Sequence, residues 1–173
     1  MVITNENHGT LLEALARAMQ AEREGHYFYK MAAAATEDPK GRDVLTRLAD
    51  EEIGHFEFLR AQHRSLAESG QVDGTAKLGN RLDLSGKSPI FSARLRERVR
   101  DAHYEMTALA VAAQLERDAE RHYRDAAAAA GDPEVKKFFL ELAVWEAGHY
   151  AALVAQADDL KEDYWAGSGF APF

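Results

Sequence analysis

Residues 49–58 read ADEEIGHFEF, and residues 144–152 read VWEAGHYAA. In each stretch a glutamate is followed three residues later by a histidine, Glu52 with His55 and Glu146 with His149. On a helix, residues three apart lie about one turn along and project from the same side. What the rest of that side carries decides the fold.

The two pairs stand 94 residues apart, and the same shift aligns much more of the chain. Residues 21–39, AEREGHYFYKMAAAATEDP, fall on residues 115–133, LERDAERHYRDAAAAAGDP. Residues 48–62, LADEEIGHFEFLRAQ, fall on residues 142–156, LAVWEAGHYAALVAQ. Alanine richness explains part of this match. It does not explain Glu22 on Glu116, Tyr29 on Tyr123 or Asp38-Pro39 on Asp132-Pro133. The chain therefore reads as two copies of one helical hairpin.

Punctuation gives the helices. Thr10 and Glu13 form a capping box for a first helix over about 10–36. Asp38 as cap and Pro39 at the first helical position open a second helix over about 38–68, and Asp132 with Pro133 repeats that start for the fourth, about 132–160. A third helix is expected over about 101–130, with room for a short one at SARLRERV, residues 92–99. Between them residues 69–100, rich in Gly, Ser, Asp and Asn at the start, form a long crossover, and residues 161–173 an aromatic tail expected to lie without helical spacing over an apolar patch.

The turn geometry explains the acids. Glu22 and Glu52 are equidistant from position 37, where the first hairpin turns, so at about 1.5 Å per residue both lie some 22 Å from the turn, at one height. Glu116 and Glu146 are placed alike about position 131. Leu45, Leu48, Phe56 and Leu59 share the face of Glu52, and Phe139, Leu142, Tyr150 and Leu153 that of Glu146. Four carboxylates inside apolar stripes must take up protons or be joined by positive charge. No lysine or arginine lies in the stripes, whereas two divalent cations balance the charge and find oxygen and imidazole donors of the kind iron or manganese favours. For the hairpins to pack as equivalent halves, the second and third helices must run parallel. The link must then travel about 42 Å, and residues 69–89 alone, 21 residues, span about 70 Å when extended.

Composition removes other function classes. The chain's 173 residues contain no cysteine, which excludes disulfides, thiolate metal sites and cysteine nucleophiles, and 46% hydrophobic content suits one globular domain. Its net charge of -8 opposes nucleic-acid binding, and the basic cluster RLRERVR at 94–100 reads as a solvated helical face. The opening MVITNENHGT has no signal-peptide pattern and no apolar run approaches the ~18 residues of a membrane span, so the cytoplasm is expected.

A glutamate from each of two helices, with Glu-x-x-His from each of the other two, resembles the ferritin-like di-iron or di-manganese bundles. EREGHYFY with ADEEIGH, and LERDAERHY with AVWEAGH, resemble the two hairpins of the rubrerythrin branch over nearly the whole chain. The resemblance implies an all-α four-helix bundle with Glu22, Glu52, His55, Glu116, Glu146 and His149 as ligands to two iron ions. Manganese remains open, and zinc can fill such a site during purification. It implies that Tyr29 and Tyr123 hydrogen-bond ligand carboxylates, and that dioxygen or hydrogen peroxide is the oxidant. An iron-storing or detoxifying protein and a dimanganese catalase-like protein remain as alternatives. Two departures stand out: Ala119 occupies the place of an extra family glutamate, and the cysteine-bound rubredoxin iron is missing. Electrons are then expected from a separate rubredoxin or reductase, and the assembly from a homodimer.

Other polar residues carry weaker signals. Glu51 falls on Trp145 in the repeat, so it reads as a solvated or supporting acid rather than a ligand. His26 and Glu120 lie one turn past Glu22 and Glu116, where a polar neighbour, a supplementary ligand or a proton relay all fit. His8, His63, His103 and His122 lack partners in the repeat and read as surface.

Overall fold

The computed structural model describes residues 5–85, 89–99 and 102–168. Five helices occupy them: α1, Asn5–Ala35; α2, Pro39–Ser69; α3, Ala93–Glu97; α4, His103–Ala129; and α5, Pro133–Ser168. There is no strand among the described residues.

Local chemistry sets the helix ends. Asp38 is extended and its carboxylate accepts from the Gly41 amide at 2.7 Å, ahead of Pro39. Asp132 accepts from the Glu134 and Val135 amides at 2.8 and 3.3 Å, so the two copies start their return helices alike. At the other end of α2, Gly70 takes the left-handed conformation, φ 70°, and its amide returns to the Leu66 carbonyl at 2.8 Å. Two ends differ from the sequence reading. α1 begins at Asn5, upstream of Thr10, which lies inside the helix and is not its cap. α5 runs beyond Leu160 to Ser168, because no glycine or proline interrupts it before Gly167. Tyr164 is therefore helical, packing edge-on to His103 at 6.4 Å and against the core, while residues 169–173 of the tail lie outside the described residues.

α1 packs along α2 and α4 along α5, and the hairpins meet through α1 and α4. Thr36 Oγ1 donates to Glu105 Oε1 at 2.8 Å, Tyr29 bonds Glu116, and His122 Nε2 lies 3.1 Å from the Ala14 carbonyl. Positions rise along α1 as they fall along α4, so those helices are antiparallel and α2 and α4 parallel. The crossover returns the chain accordingly. Its two ends are held by glutamines that the repeat makes equivalent. Gln62 exchanges hydrogen bonds with the backbone of Asp73 at 3.0 and 2.9 Å, and Gln156 Oε1 accepts from the amides of Ile90 and Phe91 at 3.0 and 2.8 Å. Asp38 then receives the Ser92 amide at 3.2 Å and the Ser92 hydroxyl. The short α3 docks through buried Leu95, and its Arg96 pairs with Asp163, so the basic cluster is partly engaged rather than wholly solvated.

Two apolar clusters fill the bundle. One, nearer the Thr36 end, includes Tyr29, Leu45, Leu48, Phe91, Leu109 and Leu153; the other includes Leu15, Leu59, Leu66, Tyr123, Phe139 and Leu142. Phe58 takes the buried place expected for Phe56, which is half-buried beneath Arg60. By length and composition Pro133–Ala166 is apolar enough to cross a membrane, unlike the sequence reading; its Phe139, Leu142, Leu153 and Leu160 are buried in the bundle, which accounts for that character.

Gly41 tests the docking of the crossover. A Cβ there would lie 2.3 Å from the Phe91 ring, whereas the equivalent residue in the second copy is Val135, fully buried. Gly41→Ala should destabilise the fold by about 1–3 kcal/mol through overpacking, lowering Tm by several degrees in a thermal melt. An unchanged Tm would mean that Phe91 does not seat there.

Candidate metal centre

Between the two apolar clusters the helices converge on six polar side chains. Glu22 comes from α1, Glu52 and His55 from α2, Glu116 from α4, and Glu146 and His149 from α5, all at most 4% exposed. His55 Nδ1 lies 3.2 Å from Glu22 Oε2, 3.2 Å from Glu146 Oε1 and 3.9 Å from Glu52 Oε2. His149 Nδ1 lies 3.2 Å from Glu146 Oε2, 3.6 Å from Glu116 Oε2 and 4.0 Å from Glu52 Oε1. The rings stack 6.4 Å apart with planes 18° from parallel, and each turns Nδ1 toward the carboxylates.

These atoms form two overlapping groups that could each hold a metal ion: Glu22, Glu52, His55 and Glu146, and Glu52, Glu116, Glu146 and His149. Within each group the candidate ligand atoms lie within 4.8 Å of one another. Glu52 and Glu146 belong to both. The tyrosines bond across the hairpins, Tyr29 to Glu116 and Tyr123 to Glu22, each hydroxyl orienting a carboxylate that belongs to one group only.

The electrostatics show what such a cluster demands. Burial, then the charges of Glu22, Glu116 and Glu146, push Glu52 well above the usual carboxylate range. Burial and the Glu146 charge hold Glu116 at about 8, although a hydrogen bond with His149 pulls it down. For His55 burial favours the neutral ring, but the Glu22 charge and hydrogen bonds with Glu146 and Glu22 outweigh it and raise the imidazole to about 10. His149 moves the same way against burial through its hydrogen bonds with Glu116, Glu146 and Glu51. Glu146 goes in the opposite direction: burial would raise it, but hydrogen bonds with both imidazoles hold it well below the usual range. With protons alone available, the site takes them up to balance its acids. Divalent cations fit the same demand better, since the donors are hard oxygens and imidazoles, and Glu52 Oε1 is buried with no hydrogen-bond partner.

The weaker sequence signals resolve unevenly. Glu51 is neither a member of the metal groups nor solvated: its Oε2 lies 2.7 Å from His149 Nε2 and its Oε1 accepts the Leu82 amide. Of the two roles that the sequence left open, solvated or supporting, it takes the second; the repeat gave no means of choosing, because Trp145 stands at the matching position. His26 Nδ1 sits 2.6 Å from the Ala49 carbonyl, and Glu120 pairs with Arg124 at 2.8 Å, so neither joins the cluster. His103 is exposed and His63 half-buried, whereas His122 is a helix-to-helix contact rather than a surface residue; the His8 side chain lies outside the described residues. Two cavities flank the centre on the crossover side. One of about 530 Å³ reaches His149 and one of about 320 Å³ reaches His55, and Arg81 lines both. Arg81 lies directly on Gly148, where a Cβ would collide with its guanidinium.

The family model described as rubrerythrin matches residues 13–157. The chain therefore belongs to the rubrerythrin family. Comparison with curated proteins and with solved structures gives no match.

A pH dependence follows from the raised groups. Stability contributed by Glu116 is fully present below its ordinary value of 4.5 and lost as pH rises through about 8; that of His55 is present below 6.5 and lost as pH rises through about 10. Both lie on the same side, so the metal-free protein should melt at a lower temperature at about pH 8.5 than at about pH 5.5. Metal should raise Tm most at the alkaline end, where it replaces missing protons. A metal-free Tm that is flat or rising across this interval would contradict the clustering of these acids.

Proposed function

We propose that this rubrerythrin-family chain is a di-iron oxidoreductase that binds two Fe(II) ions and reacts with dioxygen or hydrogen peroxide. The pair of overlapping ligand groups carries the reading: each offers three carboxylates and one imidazole, with Glu52 and Glu146 common to both. When bound, the irons supply the electrons that reduce the oxidant.

The chain's own residues do the rest. Glu22 and His55 would hold one ion and Glu116 and His149 the other, with Glu52 and Glu146 available to both. Burial, and the charges of nearby glutamates, keep the hydroxyls of Tyr29 and Tyr123 protonated, so each stays a hydrogen-bond donor to its glutamate. The apolar clusters above and below limit water at the centre. Ala119, three residues past Glu116, has no side-chain oxygen, and the repeat places Gly25 at the matching point past Glu22. A Cβ on Gly25 would already lie 3.4 Å from the Glu52 side chain. No extra carboxylate competes with His55 or His149 there, so both histidines would stay available as ligands in the oxidised and reduced states. Electrons come from a separate rubredoxin or reductase, the protein works in the cytoplasm, and exposed Tyr27 and Met31 on α1 with Val111 on α4 suit a homodimer.

Anaerobic titration with Fe(II), followed by peroxide, tests the assignment. Two irons per chain should bind, and peroxide should change the spectrum stoichiometrically, with slow turnover until a reductase is added. Glu52→Ala or Glu146→Ala should lower occupancy of both positions, whereas Glu120→Ala should not. Many irons per chain after aeration would favour storage, and oxygen release from peroxide by the manganese-loaded protein would favour a catalase. Full iron occupancy in Glu52→Ala would overturn the shared-ligand arrangement.

A further inference from the structure

The two histidines differ in what stands behind them. His149 Nε2 faces Glu51 Oε2 at 2.7 Å, a contact made across the hairpins from α2 to α5. Glu51 is itself fixed, with a side chain 9% exposed and its second oxygen on the Leu82 amide. Behind His55 the repeat-equivalent residue is Trp145, whose ring meets the imidazole edge-on at 5.0 Å. Indole has a donor and no acceptor. His55 Nε2 is accordingly buried without a hydrogen-bond partner.

This difference reaches the inward-facing nitrogens. A carboxylate accepting the Nε2 proton fixes the tautomer that leaves the Nδ1 lone pair free, locks the ring plane and makes Nδ1 a stronger donor to a cation; loss of such partners typically lowers metal affinity about 10–100-fold. We infer that Glu51 is a positioning residue that makes the two metal positions unequal, so that the Glu116–His149 position holds a divalent cation more tightly than the Glu22–His55 position, which releases its cation first. The inference rests on the two-metal reading of the centre. It asks nothing of the oxidant.

Cobalt(II) makes both positions visible. The full chain, loaded with Co(II) and titrated with a chelator, should lose its absorption in two steps whose midpoints differ about tenfold or more. His55→Ala should remove the weak step and His149→Ala the tight one. Glu51→Leu should weaken the tight step by about 10–100-fold and leave the weak one in place, and the near-isosteric Glu51→Gln should fall between. In a His149→Ala background Glu51→Leu should have no further effect, which separates action through the imidazole from a strap function on Leu82. Trp145→Glu should tighten the weak step by giving His55 an acceptor. Coincident steps in the wild type, or equal weakening of both steps by Glu51→Leu, would overturn the inference. A wild-type chain that retains no cobalt would overturn the two-metal reading together with it.

Discussion

Four carboxylates, those of Glu22, Glu52, Glu116 and Glu146, are enclosed in the middle of a helical bundle in which no buried lysine or arginine accompanies them among the described residues. An ion taken from water into such a place loses several kcal/mol of hydration even after relaxation, and like charges add to the loss. Only protons or cations can restore balance. Much of the surrounding structure serves that balance: imidazoles on two sides, tyrosine hydroxyls reaching from the opposite hairpin, and Glu51 behind one of the rings.

Duplication supplies this arrangement with little information. A hairpin that places one glutamate on each arm at equal distance from its turn makes half a site, and a second copy packed antiparallel through α1 and α4 makes the other half. The copies then diverge where packing or chemistry differs. Gly41 admits Phe91 of the crossover where its counterpart Val135 fills core, and Glu51 supports a histidine where its counterpart Trp145 covers one. Gln62 and Gln156 keep one chemistry and use it on opposite ends of the crossover.

The hairpins and the six converging residues were legible because helical period and repeat spacing are local quantities that a sequence displays directly. The Asp38 and Asp132 starts were equally plain, since a cap and a following proline act within one turn. What escaped depends on contacts between distant segments. Glu51 could be read only as either solvated or supporting, because the partner that decides between the two lies 98 residues away on another helix, and His122 looked superficial because the Ala14 carbonyl is supplied by α1. Thr10 misled for a different reason: its capping pattern is real, but Asn5–Gly9 continue the helix upstream, so the pattern is never used as an end.

Crystals of the iron-loaded protein, with anomalous scattering recorded at the iron edge, address the charge-balance account most directly. It predicts two peaks per chain inside the bundle, both touching Glu52 and Glu146, one beside His55 and the other beside His149. Iron found only at surface acids, with the interior carboxylates hydrogen-bonded to one another and no peak between them, would contradict it.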